Sequence, residues 1–301
     1  MGLKIMLSTI AAAGVIASPA LTQELTGTLK KIKDTGTITL GHRESSLPFS
    51  YYDDKQQVVG YAMDLCHRIV DATKNELKLA KLDAKLNPVT SATRIPLMAN
   101  GTIDLECGST TNNLERQRQV SFTITHFVTA NRFVSKKARN LKTVEDLKGK
   151  TIVSTSGTTN IKQITEIGAQ KGLNLNILAA KDHAEAFLMV ETNRAVAFVM
   201  DDILLYSLVA GAKAPQDYVI SSDALSVEPY GIMLRREDPA FKKVVDQAMI
   251  ATYKSGAINA IYDKWFLKPI PPKNINLNVP MSNAFKKVIA SPTDSGDPAV
   301  Y

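Results

Sequence analysis

From Gly36 onward, short apolar runs alternate with longer stretches in which apolar residues recur at helical spacing. Thr37-Ile38-Thr39-Leu40 reads as a strand, Met63 to Leu79 as an amphipathic helix, and Asp83-Ala84-Lys85-Leu86 as a further strand. A short helix from Arg94 to Met98, stopped by Asn100-Gly101, leads into a strand from Ile103 to Cys107. Such alternation predicts a largely parallel sheet with helices on both faces. The rhythm then restarts with a strand at Lys150 to Ser154, a helix near Ile161 to Lys171, and strands at Leu175 to Ile177 and Ala195 to Val199.

Two extended stretches, Phe127 to Val134 and Pro229 to Leu234, separate the two rhythms and are expected to be strands crossing from one to the other. The predicted architecture is therefore α/β with two lobes, each a mostly parallel sheet flanked by helices, joined by two hinge strands. Residues 24–133 and 229–301 form a discontinuous first lobe, and 134–228 the second. Helices near Pro239 to Ser255 and Ala257 to Trp265 finish the first lobe. The tail, with Pro269, Pro271 and Pro272, is expected to wrap the molecule and end loosely. No internal repeat or low-complexity tract interrupts the pattern.

The first 23 residues change the picture. One basic residue, Lys4, precedes an apolar run from Ile5 to Ala17 and small residues around Ser18-Pro19-Ala20, the composition of a cleaved secretory signal. The run is shorter than the roughly 20 residues of a spanning helix. No cysteine lies near the expected cleavage point to accept a lipid, so the mature chain should be free and soluble. About 280 residues remain, one large domain or two small ones. The formal charge of +7 falls to +6 if Lys4 leaves, and the basic residues are scattered, so nucleic acid is not an expected partner.

Export also bears on Cys66 and Cys107, the two cysteines of the 301-residue chain. An even pair in an oxidising compartment is expected to bridge, stapling a helix to the end of a strand. No recurring ligand spacing surrounds them: His67 and Glu106 are merely sequence neighbours, and neither a metal nor a cofactor is expected.

Candidate chemistry is spread over short, turn-flanked segments: Gly41 to Ser46, Thr90 to Arg94, Cys107 to Arg116, Ser154 to Thr159, Lys181 to His183, and Met200-Asp201-Asp202. Guanidinium, imidazole and hydroxyl groups together with one carboxylate suit a zwitterion carrying an extra negative charge, and an acidic amino acid matches each group. Gly157-Thr158-Thr159 lies between a strand and a helical pattern, where free N–H groups favour an anion. Asp201 closes an apolar strand and should stand at the carboxyl edge of the sheet, where open α/β sheets place ligands; Asp202 is expected to cap a helix. Phe49, Tyr51 and Tyr52 are read equally well as an apolar wall of a site or as core.

These segments, in this order, resemble the family-3 solute-binding proteins of bacterial ABC importers. The likeness covers nearly the whole mature chain, including Pro48-Phe49-Ser50-Tyr51-Tyr52-Asp53, Glu106 to Asn113, Ser156 to Thr159, Arg194 to Phe198 and Ile270 to Asn274. It implies a two-lobed fold, capture of L-glutamate or L-aspartate between closing lobes, and delivery as a monomer to membrane permease subunits from the periplasm. It further implies that Arg116, with Thr158 and Thr159, holds the ligand α-carboxylate. Asp201, the carbonyl of Ser109 and the hydroxyl of Thr111 would satisfy the three donors of the α-ammonium. Arg43, Ser91, Arg94 and His183 would surround the second carboxylate; a neutral amide would leave those buried cations without counter-charge.

Two other classes remain on the table. Secreted relatives of this fold include dehydratases acting on cyclic carboxylates, which need a positioned acid or base such as His183 or Glu44. A sensory binding module would require attachment to a signalling segment. The residues do not rank glutamate against aspartate, since one methylene alters reach without altering charge.

Overall fold

The computed structural model describes Met1 and residues 24–301, so the expected leader falls outside the described residues except for Met1. α1 (Gly27–Thr35) stops at Gly36, whose φ of +64° supplies the left-handed turn that closes a helix. β1 (Thr37–His42) enters the core, and β2 (Ser45–Ser46), β3 (Ser50–Tyr52) and β4 (Val58–Val59) form a small antiparallel sheet at its edge. α2 (Tyr61–Glu76) buries Ala62, Leu65, Cys66, Ile69 and Thr73, one stripe at helical spacing. β5 (Asp83–Pro88), α3 (Arg94–Ala99), β6 (Leu105–Cys107) and β7 (Val120–Phe122) complete this part of the chain.

β8 (Phe127–Lys136) leads into the second set: β9 (Thr151–Thr155), α4 (Thr159–Gln170), β10 (Asn176–Ala180), α5 (His183–Glu191), β11 (Ala197–Asp201), α6 (Asp202–Ala210), β12 (Tyr218–Ile220) and β13 (Ser226–Tyr230). The chain then returns through β14 (Met233–Arg235), α7 (Pro239–Lys254), α8 (Ala257–Tyr262) and α9 (Asn283–Ala290). Pro239 begins α7 behind the cap Asp238. The Asp238 carboxylate accepts from Phe241 N at 3.2 Å and from Thr28 N at 2.7 Å, tying α7 to α1.

The first large sheet has the order β5-β1-β6-β14-β7, parallel at β5-β1-β6 and antiparallel where β14 meets β6 and β7. The second runs β10-β9-β11-β8-β12, with β13 also on β8. β8 and β13 pair antiparallel from Phe127–Tyr230 to Asn131–Ser226, and are the two strands that link the sheets. Around this link Phe49, Tyr61, Phe127, Tyr230 and Phe266 pack ring against ring, with centroid separations of 5.0–6.5 Å. Phe49 and Tyr51 are therefore core, while Tyr52 meets the edge of His42.

Several expectations change. The stretch Pro229 to Leu234 is not one strand: it breaks at Gly231-Ile232, where the chain leaves one sheet for the other, and Gly231 N bonds the Thr110 carbonyl. The helix expected to reach Trp265 ends at Tyr262 and continues as a π turn over Asp263–Leu267. The tail contains α9, and its end is anchored: Thr125 N bonds Thr293 O at 2.8 Å, Asn112 and Gln117 amides donate to Asp294 O, and the Tyr301 hydroxyl lies 2.7 Å from that of Thr125. Cys66 and Cys107 are joined as expected, linking α2 to the end of β6.

Candidate functional site

The carboxyl ends of β1, β5, β6, β9 and β11 face a narrow space between the two sheets. It is tightly closed, with a free volume of only about 10 Å³, and is lined by Ser91, Arg94, Ser109, Thr111, Thr158, Thr159, Asn160, His183, Met200, Asp201 and Leu204. Eight of the ten sequence-chosen ligand residues lie on this wall. Arg43 does not: it is wholly buried behind Ser91, donating Nε to Val89 O at 3.1 Å and Nη2 to Ser91 Oγ at 2.9 Å, with Nη1 unpartnered. Arg116 stands at the mouth, where it lines an outer recess with Asn113, Gly157, Thr158 and Thr159. Its Nη1 donates to Thr111 O at 2.9 Å and its Nη2 to Gly157 O at 3.2 Å, so it bridges the loop after β6 to the loop after β9.

Local structure explains how each side chain reaches the space. Thr158 caps α4, donating its hydroxyl to Thr155 O at 2.7 Å and accepting from Ile161 N. Gly157, at φ +76°, brings the backbone against the other sheet's loop; a Cβ there would sit 2.5 Å from the Cα of Ala92. The first free N–H groups of α4 therefore border the wall. His183 is the first residue of α5, whose cap is Asp182, and its Nδ1 pairs with the Thr155 hydroxyl at 2.8 Å. Asp201 ends β11, held by Asn160 Nδ2 at 2.7 Å and by a very short bond from the Tyr230 hydroxyl. Asp202 does not cap α6 as expected. It is the first helical residue, and its carboxylate is taken by Thr129 Oγ1 at 2.5 Å and Arg132 Nε at 3.1 Å.

Sequence reasoning passed over Thr110, Asn160, Glu106, Glu228 and Tyr230. Thr110 and Asn160 are polar side chains within segments or elements already flagged by the sequence. Glu106 and Glu228 lie in strands where polar and apolar residues alternate, a pattern that gives no sign of a buried carboxylate. Glu228 is buried and accepts from Thr159 Oγ1 at 3.0 Å, Gln163 Nε2 at 2.7 Å and Ser226 Oγ at 2.5 Å. Nothing in the local pattern distinguishes Tyr230 from the other ring residues.

The electrostatics follow from packing three guanidiniums and three carboxylates away from water. Burial, then the neighbouring Arg94, pulls Arg116 down to about 9 and Arg43 to about 10; both remain protonated at neutral pH. Burial, followed by Arg43 and Arg94, holds His183 well below its ordinary range, so its imidazole is neutral. Burial and then the Glu228 charge push Asp201 up to about 7. Around the space, Arg94 Nε and Ser109 Oγ are buried without a protein partner. Such groups cost free energy unless satisfied, and their chemistry suits an anionic, hydrogen-bonding solute.

Across the mouth, Glu115 and Lys162 form a short ion pair between the loop after β6 and α4, and the Thr111 and Thr159 hydroxyls lie 3.5 Å apart. The two sheets are thus in direct contact on the solvent side of the space, a closed arrangement.

Residues 38–268 match the family model of bacterial extracellular solute-binding proteins, family 3. The chain is 54% identical over 290 residues to the L-glutamate/L-aspartate-binding protein of Pseudomonas aeruginosa, covering 96% of each chain. It is 47% identical to the glutamate/aspartate import solute-binding protein of Escherichia coli, covering 89% of this chain and 88% of that one. Among solved structures, a mutant of ArgBP from T. maritima superposes with a TM-score of 0.70 at 28% identity, over 79% of this chain and 98% of that one.

Proposed function

The chain belongs to the bacterial extracellular solute-binding proteins of family 3, and from that premise we propose that it is the periplasmic receptor of an ABC amino-acid importer that captures L-glutamate or L-aspartate. Its role is transport, in keeping with relatives that carry import and binding names and not enzyme names. The observation that carries the ligand class is the polarity of the closed space. Arg94, with an unpartnered Nε, His183, the Asp201 carboxylate and the hydroxyls of Thr111 and Thr159 all line the same closed space.

In this reading the first lobe, 24–133 with 229–301, binds ligand in the open form, and the second, 134–228, closes over it by bending at β8 and β13. Arg116 and the start of α4 at Thr158 and Thr159 hold the α-carboxylate. Each Arg116 terminal nitrogen still has a second N–H beyond those given to Thr111 and Gly157. Asp201, Ser109 O and Thr111 take the α-ammonium. Arg94, Ser91 and His183 receive the side-chain carboxylate, with Arg43 fixing Ser91 from behind. Closure transmits occupancy to the permease only because the ligand binds the closed form better than the open one. The receptor acts as a monomer after removal of residues 1–23.

Titration calorimetry of the mature, ligand-stripped protein tests this reading. Tight binding of one or both acidic amino acids, with L-glutamine much weaker, is the expected result. Absence of heat with both acids would overturn the ligand assignment.

A further inference from the structure

Beneath the wall lies a carboxylate that the proposed binding scheme does not use. Glu106 occupies the middle of β6, paired with Gly41 and Met233, and is fully buried. Its Oε2 accepts from the Thr110 hydroxyl at 2.5 Å, and the same hydroxyl accepts from Arg94 Nη1 at 2.5 Å. The other oxygen, Oε1, has no hydrogen-bond partner and lies 3.9 Å from Arg94 Nη1. The loop is folded tightly over this group: a Cβ on Gly108 would fall 2.4 Å from Oε1. Arg94 lines the closed space, whereas Glu106 and Thr110 do not, so the carboxylate approaches the guanidinium from behind.

We propose that Glu106 is a specificity-determining residue: acting through Thr110, it sets how much of the Arg94 charge the cleft presents to an acidic side chain. The inference rests on the proposed function. A hydroxyl that accepts from Arg94 and donates to Glu106 holds Nη1 to the rear, while Nε stays buried without a partner. The Glu106 charge opposes that of an incoming carboxylate, while a neutral amide feels it little. Glu106 therefore keeps Arg94 compensated before ligand arrives and tempers the preference for acids over amides.

The two links can be cut separately. Glu106→Gln removes the charge and keeps an acceptor for Thr110. The ratio of glutamine to glutamate dissociation constants is expected to rise about tenfold, the scale of one like charge removed from a partly screened site. Thr110→Val removes the relay and keeps the charge. Arg94 is then drawn directly onto Glu106, and the same ratio is expected to fall. Calorimetry with L-glutamate, L-aspartate and L-glutamine on wild type and both variants, each checked for folding by circular dichroism and thermal melting, reads the outcome. A ratio that stays constant or falls in Glu106→Gln overturns the inference, as does a parallel weakening for all three ligands in both variants. Should Glu106→Gln fail to fold, a ratio in Thr110→Val that does not fall overturns it alone. If wild type binds neither acid, the proposed function itself is wrong and this inference falls with it.

Discussion

Arg94, the first residue of α3, and Arg116, in the loop after β6, are both buried arginines, yet their surroundings assign them different work. Arg116 bridges two loops that belong to different sheets, so under the proposed binding scheme its loss removes an anion contact along with a closure contact. Arg94 has its hydrogen-bond and ion-pair partners entirely on one side of the cleft. Arg116→Ala is expected to lower affinity for every amino-acid ligand by 2–5 kcal/mol, about 30-fold or more. Arg94→Ala is expected to act mainly on the acidic side chain; equal losses for glutamate and glutamine by calorimetry would contradict that division. Asp201 adds a pH dependence. Its folded value, pushed up to about 7, lies above the ordinary carboxylate range, so below neutrality it is protonated and cannot pair with an ammonium. Affinity should therefore rise as pH is taken from about 5.5 to about 8, by roughly tenfold or more, since a pair with a neutralised partner loses more than one pK unit of interaction. Affinity that stays flat over that range would exclude ionised Asp201 as the ammonium partner.

At the scale of elements, Gly157 controls how closely the start of α4 approaches the loop that carries Ser91 and Arg94. Its φ of +76° and the 2.5 Å from a would-be Cβ to the Ala92 Cα are independent reasons for glycine there. Gly157→Ala should cost about 1–2 kcal/mol of affinity through strain and incomplete closure, with the fold intact. Unchanged affinity with unchanged melting would show that this approach is dispensable. The elements most legible in the sequence were those with strong periodicity, such as α2 and β11, and those with sharp stops, such as α3. α6, Asp202–Ala210, is apolar nearly all round, so its period is hidden; α5 has the same difficulty. α9 was missed although Ser282 caps it by accepting from Phe285 N at 3.1 Å, because the prolines before it drew the reading toward an irregular tail. The break between β13 and β14 is a tertiary event: Gly231 and Ile232 bond to Thr110 O and Thr123 Oγ1, partners far away in the chain.

For the whole molecule, the two-sheet plan was readable from the restart of the strand rhythm at Lys150, and the family from the order of the polar segments. The depth of each group was not. Arg43 sits behind the wall because its guanidinium is turned onto Val89 O and Ser91 Oγ, and Arg116 at the mouth because the loop after β6 reaches the opposite sheet; sequence spacing carries no information on depth. The counter-charges Glu106 and Glu228 were likewise invisible as site residues, since their partners come from other elements. What unites these details is a closed space whose mouth is sealed by contacts between the sheets: Glu115 with Lys162, Arg116 with Gly157, and Gly157 against Ala92. Opening must break all three, and a ligand that satisfies Arg94, Arg116 and Asp201 together favours the sealed form. Small-angle X-ray scattering of the ligand-stripped protein, with and without saturating L-glutamate, L-aspartate or L-glutamine at equal concentration, tests this most directly. The account predicts a smaller radius of gyration and a curve matching the closed structure with at least one acidic amino acid, and little change with glutamine. Identical curves with and without either acid, at concentrations where calorimetry detects binding, would contradict capture by closure.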